Sequence, residues 1–178
     1  MNEMDGSAAP PPMRRVSGMF SVTVTPQAAE DGVGDPAIGR MALFKRFEGA
    51  LDGTARGQML AIRTDTPGSA GYVALDRFEG SLEGRSGGFS LQHSGSMGRG
   101  APSLSIHVIP DSGTGALGGL RGTLGIRIEG GVHFYDLDYT LPMGAASAAM
   151  QDRGWNPSRI SRFSSARRRS AAVARGGP

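Results

Sequence analysis

Cysteine is absent from this chain of 178 residues. That absence excludes disulfides, thiolate metal sites and a cysteine nucleophile together. Lysine is nearly absent too: Lys45 stands alone among arginines. No apolar run approaches the roughly 20 residues of a membrane span, and the opening MNEMDGSAAPPP lacks the charged-then-apolar plan of a secretion signal. A cytoplasmic protein with no membrane partner is expected. Between residues 13 and 142 there is also no stretch with the apolar stripe of an amphipathic helix.

What fills the chain instead is glycine, 29 residues scattered singly and in pairs through strand-like text. Glycine at that density breaks helices and supplies turns. Charge is divided unevenly. Residues 144–178 hold seven arginines against the single acid Asp152, whereas residues 1–143 hold eleven arginines and Lys45 against fifteen acids. The body is mildly acidic, and the pI of about 9.9 describes its tail.

Residues 1–12 are small, polar and proline-rich, and are read as a disordered N-terminal segment. From residue 13 onward the text alternates. RRVSGMFSVTVTP, MALFKRFEG, TARGQMLAIRT, SAGYVALDRFEG, GGFSLQHSGS, SLSIHVIP, RGTLGIRIEG and VHFYDLDYTL each show the period-2 pattern of a strand. Asp-Gly, Asp-Thr-Pro-Gly and Glu-Gly supply turn chemistry between several of them. Eight consecutive strands with short connections predict an all-β domain over 13–142, an antiparallel meander that removes its edges by closing into an eight-stranded β-barrel. Such a barrel is just wide enough for side chains or one small ligand. Residues 143–178, rich in arginine, serine and alanine, are read as a largely disordered basic tail. Nucleic acid is not an expected partner, except weakly through that tail, since no aromatic platform accompanies the arginines and the body is acidic.

One phrase is written twice, RFEGALDG at 46–53 and RFEGSLEG at 77–84. Each copy reads as a strand end, a glycine-centred turn and a strand start. Phe47 and Phe78 should then point inward, with Glu48 and Glu79 outward, and nothing in the spacing makes the two glutamates face each other as paired acid-base chemistry requires. Superposing the copies sets Lys45 on Asp76 and Ile62 on His93. Those differing positions are the ones expected to matter for function. The segment SGTGALGG satisfies G-x-G-x-x-G at Gly113, Gly115 and Gly118, but a strand follows where a dinucleotide site needs a helix. A wide glycine loop is the expected role.

His93, His107 and His133 fall on different strands without metal-ligand spacing, so neither a metal nor a cofactor is expected. His93 shares its face with Phe89 and Leu91, Asp76 with Tyr72, Ala74 and Phe78, and Lys45 with Leu43 and Phe47; Tyr135, Leu137 and Tyr139 share another. Polar chemistry is thus set among inward apolar residues on four strands. One account is a satisfied network, with Lys45 on Asp76 and a tyrosine hydroxyl on His93. The other is a ligand cavity with a few convergent polar groups, for which Lys45, Asp76, His93, Tyr135 and Tyr139 are the candidate contacts.

Gly84 to Gly95, Ile109 to Gly122 and Tyr135 to Tyr139 together resemble the DUF3224 family, small bacterial proteins of unassigned function. The resemblance covers about residues 13–142 and implies a closed calycin-type barrel of the allene oxide cyclase kind. It transfers no catalytic residues. Two departures stand out: Asp76 occupies a position where the family usually has Glu, and the third strand reads QMLAI where tyrosine is commoner. The expected function is a small barrel that holds an apolar or amphipathic ligand in its interior. The alternatives are a cofactor-free cyclase or isomerase in which Asp76 or His93 moves a proton, and a scaffold with a filled core. The oligomeric state is left open, a homo-oligomer included.

Overall fold

The structure is a computed structural model that describes residues 10–142; the expectations for 1–9 and for the tail 143–178 lie outside the described residues. Nine strands follow in order, β1 (Arg14–Gln27), β2 (Gly39–Gly49), β3 (Leu51–Arg63), β4 (Ala70–Leu82), β5 (Arg85–Gly98), β6 (Ala101–Val108), β7 (Thr114–Gly115), β8 (Arg121–Glu129) and β9 (Val132–Thr140). Each of the eight stretches read as strands coincides with one of them, overrunning its bounds by at most two residues. Among the described residues no helix is long and apolar enough to cross a membrane.

All pairings are antiparallel. Chain neighbours pair from β1 through β6, β6 meets β8 at His107↔Thr123, β8 pairs β9, and β9 returns to β1 over Arg14–Phe20. The ring is therefore closed with eight strands, and the two-residue β7 is added at Gly87 and Gly88 of β5. Closure satisfies the edge N–H and C=O groups that an open meander would leave as templates for aggregation.

Alternation decides what goes inside. Phe20, Phe47, Phe78, Phe89 and Tyr135 come from five different strands and meet in one aromatic layer, with ring centroids 5.0–5.7 Å apart. Leu51, Leu82, Leu91, Leu137 and Tyr139 fill the space around them. Burial of each such side chain contributes about 1.5–3 kcal/mol. One end of the barrel is shut by the 113–120 segment, whose Leu117 and Leu120 are fully buried. Thr114 fastens that segment by accepting the Gly88 N–H at 3.0 Å. The G-x-G-x-x-G text is thus a capping loop.

The other end is open. Val24, Met97, Leu104 and Ile128 lie on the inward face by register with Leu43, Ala70, Gly95 and His133, yet they are 42–64% exposed. Inward apolar side chains that still meet solvent can only line a mouth.

The twin phrase makes two different turns. In the first copy the ladder ends at Phe47↔Gly53, enclosing the odd loop 48–52. In the second it continues to Leu82↔Arg85, leaving only Glu83 and Gly84, at φ 48° and 78°, as a two-residue turn. Positive φ at both central residues is the type I′ geometry that matches strand twist. An odd loop and an even loop return the chain with opposite faces inward. Lys45 and Asp76 are consequently equivalent and both inward, whereas Ile62 is outward and exposed and has no counterpart relation to His93. That half of the superposition is corrected by the structure.

Candidate functional site

Lys45 on β2, Asp76 on β4 and His93 on β5 are 6%, 2% and 3% exposed. They sit between the aromatic layer and the open mouth. Lys45 pairs with Val22 and Ala55, Asp76 with Gly57 and Leu91, and His93 with Ala74 and Ile106. β2 and β4 are two strand spacings apart, about 10 Å, with β3 between them. An ordinary inward side chain on β3 would stand in the way.

β3 has Ala55 and Gly57 at that level. A Cβ on Gly57 would lie 2.1 Å from Asp76 Oδ1 and 2.2 Å from the Leu75 carbonyl oxygen. The missing side chain is what lets Lys45 Nζ cross β3 and donate to Asp76 Oδ2. Replacing a strand glycine by alanine normally stabilises by about 0.5–1 kcal/mol. Gly57→Ala is expected to reverse that sign and cost about 1–3 kcal/mol through overpacking, seen as a lower urea midpoint at unchanged slope.

His93 Nε2 approaches Asp76 Oδ2 to 3.0 Å, but its N–H is not aligned with that oxygen. Nε2 and Asp76 Oδ1 are the buried side-chain atoms without a hydrogen bond among the described residues. Burial by itself pushes the Asp76 carboxyl upward; His93 and the Lys45 ammonium outweigh it and hold the group below the usual carboxylate range. The site therefore carries a buried carboxylate with one oxygen committed and the other free. Lys45 Nζ also lies 5.9 Å from the centroid of Phe20, so the aromatic layer forms its floor.

The two tyrosines read as ligand contacts are inward but occupied elsewhere. The Tyr135 hydroxyl accepts the Leu51 N–H at 2.8 Å, closing the 48–52 turn. Tyr139 donates to Glu83 Oε2 at 2.5 Å, and Arg14 completes that cluster at 2.7 Å. Burial and the Glu83 carboxylate push the Tyr139 hydroxyl up to about 12. No tyrosine hydroxyl satisfies His93, which corrects that part of the network reading.

Tyr72 stands in the field of the Asp76 charge. It faces inward on β4, half-buried, and its ring lies against Gly95, where an added Cβ would be 2.2 Å from a ring carbon. Burial, then the Asp76 charge, raises its hydroxyl. The signal for it was present in the alternation Tyr72, Ala74, Asp76, but a half-exposed tyrosine at a strand's start carries no mark of its own. Beside it, at the rim, Ile38, Leu60, Ala61, Ile62, Gly71, Tyr72 and Val73 line an open apolar hollow of about 270 Å³. Among the described residues no group of three or more His, Asp or Glu is placed to hold a metal ion.

Residues 16–139 match the family model described as protein of unknown function (DUF3224). A solved structure of a protein with unknown function from the DUF3224 family of Shewanella oneidensis MR-1 is similar at 44% identity and TM-score 0.69, covering 75% of this chain and 100% of that one. No curated protein matches. With the barrel strands, but for Arg14, Arg15 and Thr140 at their two ends, and the Lys45–Asp76–His93 core inside the matched region, the chain belongs to the DUF3224 family.

Proposed function

We propose that the barrel binds one small apolar or amphipathic molecule, which enters at the open mouth and presents its polar end to Lys45, Asp76 and His93. The observation that carries this reading is a buried charge cluster with unpartnered acceptor and ring atoms, placed directly below a ring of inward yet exposed apolar side chains. Apolar walls with a few convergent polar groups are the general form of a small-molecule site. A core evolved only for packing would gain from replacing the trio by hydrocarbon, since buried ion pairs seldom repay their desolvation.

Titration with the neutral fluorophore N-phenyl-1-naphthylamine tests it. A saturable enhancement with one site per chain is expected. Leu104→Asp at the mouth should weaken that binding about tenfold or more, because it sets a charge in the apolar path. Val73→Asp, on the outer wall of the rim hollow, should leave it nearly unchanged. Absence of saturable binding overturns the proposal, and the opposite pattern of the two variants moves the site to the rim hollow.

The same unpartnered atoms support a second reading, a cofactor-free cyclase or isomerase in which Asp76 and His93 move a proton. It differs in requiring turnover, which His93→Ala would abolish while affinity is kept.

A further inference from the structure

Resting on the interior-ligand reading, we infer that the ligand's head group is an uncharged hydrogen-bond donor, an alcohol hydroxyl or an amide N–H, that bonds Asp76 Oδ1. The inference comes from which valences the site leaves open. An ionised carboxylate only accepts. Oδ2 receives Lys45 and has His93 at 3.0 Å, while Oδ1 has no donor and is 2.1 Å from the place a Gly57 Cβ would take. It lies over bare β3 backbone on the lumen side but is fully buried, so a ligand's donor reaches it only as the side chains above it move aside. A buried acceptor left unmet costs about 1–3 kcal/mol, and more when it carries charge.

Charge selects among the heads that could meet it. Lys45 and Asp76 cancel within the pair. An anionic head, such as a fatty carboxylate, would set a second negative charge beside the carboxylate inside a low-dielectric barrel. A cationic head would be repelled by Lys45 Nζ, which already occupies the other oxygen. An ether or ketone, which accepts without donating, would leave Oδ1 as it is. Only a neutral donor removes the unmet acceptor and adds no charge.

Isothermal titration calorimetry at pH 7 with 1-octanol, octyl methyl ether and sodium octanoate decides the matter. The alcohol is expected to bind about 10- to 100-fold more tightly than the ether, the range of a hydrogen bond to a charged group, although the ether is the more apolar. Octanoate is expected to bind more weakly than the alcohol. In the Lys45→Met/Asp76→Leu double variant the alcohol's advantage over the ether should vanish while chain binding persists. The inference is overturned if the ether or octanoate equals the alcohol in the unaltered protein, or if the alcohol keeps its advantage in the variant. Either result leaves the interior-ligand reading standing. Failure of all three molecules to bind removes that reading, and this inference with it. The alcohol-to-ether ratio in the unaltered protein is sufficient without the variant.

Discussion

Asp76→Ala is expected to destabilise the barrel by about 3–5 kcal/mol, a large share of the roughly 5–15 kcal/mol that holds a domain together. The cause is what remains. Lys45 is 6% exposed, with its ammonium over Phe20 and no second carboxylate within ion-pair distance among the described residues, so truncation leaves a buried cation without a counter-charge. The double variant Lys45→Met/Asp76→Leu removes both charges and keeps the volume. Its stability should be close to that of the unaltered protein, as is usual when buried ion pairs are replaced by hydrocarbon. Urea unfolding of the three proteins measures this. A cost below about 1 kcal/mol for Asp76→Ala would show a pair that solvent already screens.

The same three proteins separate in acid. Asp76 is held below its ordinary range: burial opposes ionisation, but His93 and Lys45 outweigh it. A carboxyl depressed in the fold contributes stability that is present above its unfolded pKa of about 3.9 and is lost as the pH falls through the folded value. Asp136, held down by Ser17 and Arg127, and Asp138, held down by Arg15, lose their contributions in the same window. The double variant keeps those two and lacks the Asp76 share. Its unfolding free energy should therefore fall less steeply below about pH 4, by up to one proton. An unchanged acid slope would mean that Asp76 is not depressed.

Phe78→Ala is the second large effect, with an expected loss of about 3–5 kcal/mol from transfer and cavity terms together. Phe78 is fully buried, lies directly across from Phe89 in register, and has ring centroids of Phe47 at 5.7 Å and Phe89 at 5.0 Å. Close packing by rings from three strands leaves little freedom to collapse into the gap. Phe44 on β2 provides the contrast. It faces outward, 36% exposed, under Arg56 at 4.9 Å, so Phe44→Ala should stay within about 1 kcal/mol. Thermal and urea unfolding of both variants checks the face assignment directly. Equal losses would mean that the inward and outward sets had been exchanged.

Most of the architecture could be read from the chain because it is local. Period-2 alternation marks a strand wherever one face is buried, and Asp-Gly, Glu-Gly and Asp-Thr-Pro-Gly mark turns by the φ angles they tolerate. Those two signals located all eight barrel strands and put Phe47, Phe78, Lys45, Asp76 and His93 on the inside. They were silent on β7, whose two residues, Thr114 and Gly115, are too short for any period. They also failed at the second half of the repeated phrase. Whether Ile62 matches His93 depends on the parity of the intervening loop, and RFEGALDG and RFEGSLEG carry the same glycines while closing loops of different parity.

For the candidate site, the alternation named the right strands and the Lys45–Asp76 pair, but not the partners of the tyrosines. Tyr135 and Tyr139 face the interior exactly as Asp76 does, and only their depth along the barrel sends them to Leu51 and Glu83 instead of His93. Depth follows from strand stagger, a sum over the registers of neighbouring ladders that no single segment encodes.

By itself, then, the sequence determined that this is a cysteine-free, all-strand barrel with a lone lysine, a carboxylate and a histidine facing its interior. Each of those properties is a matter of composition or of alternation within one strand. The tertiary structure decided that Lys45 reaches Asp76 across β3, that Gly57 is the residue permitting it, that one end is capped by Leu117 and Leu120, and that the other is an apolar mouth. These depend on residues far apart in the chain meeting at one height in the barrel. Register and closure set that height, and they exist only once all eight strands have paired.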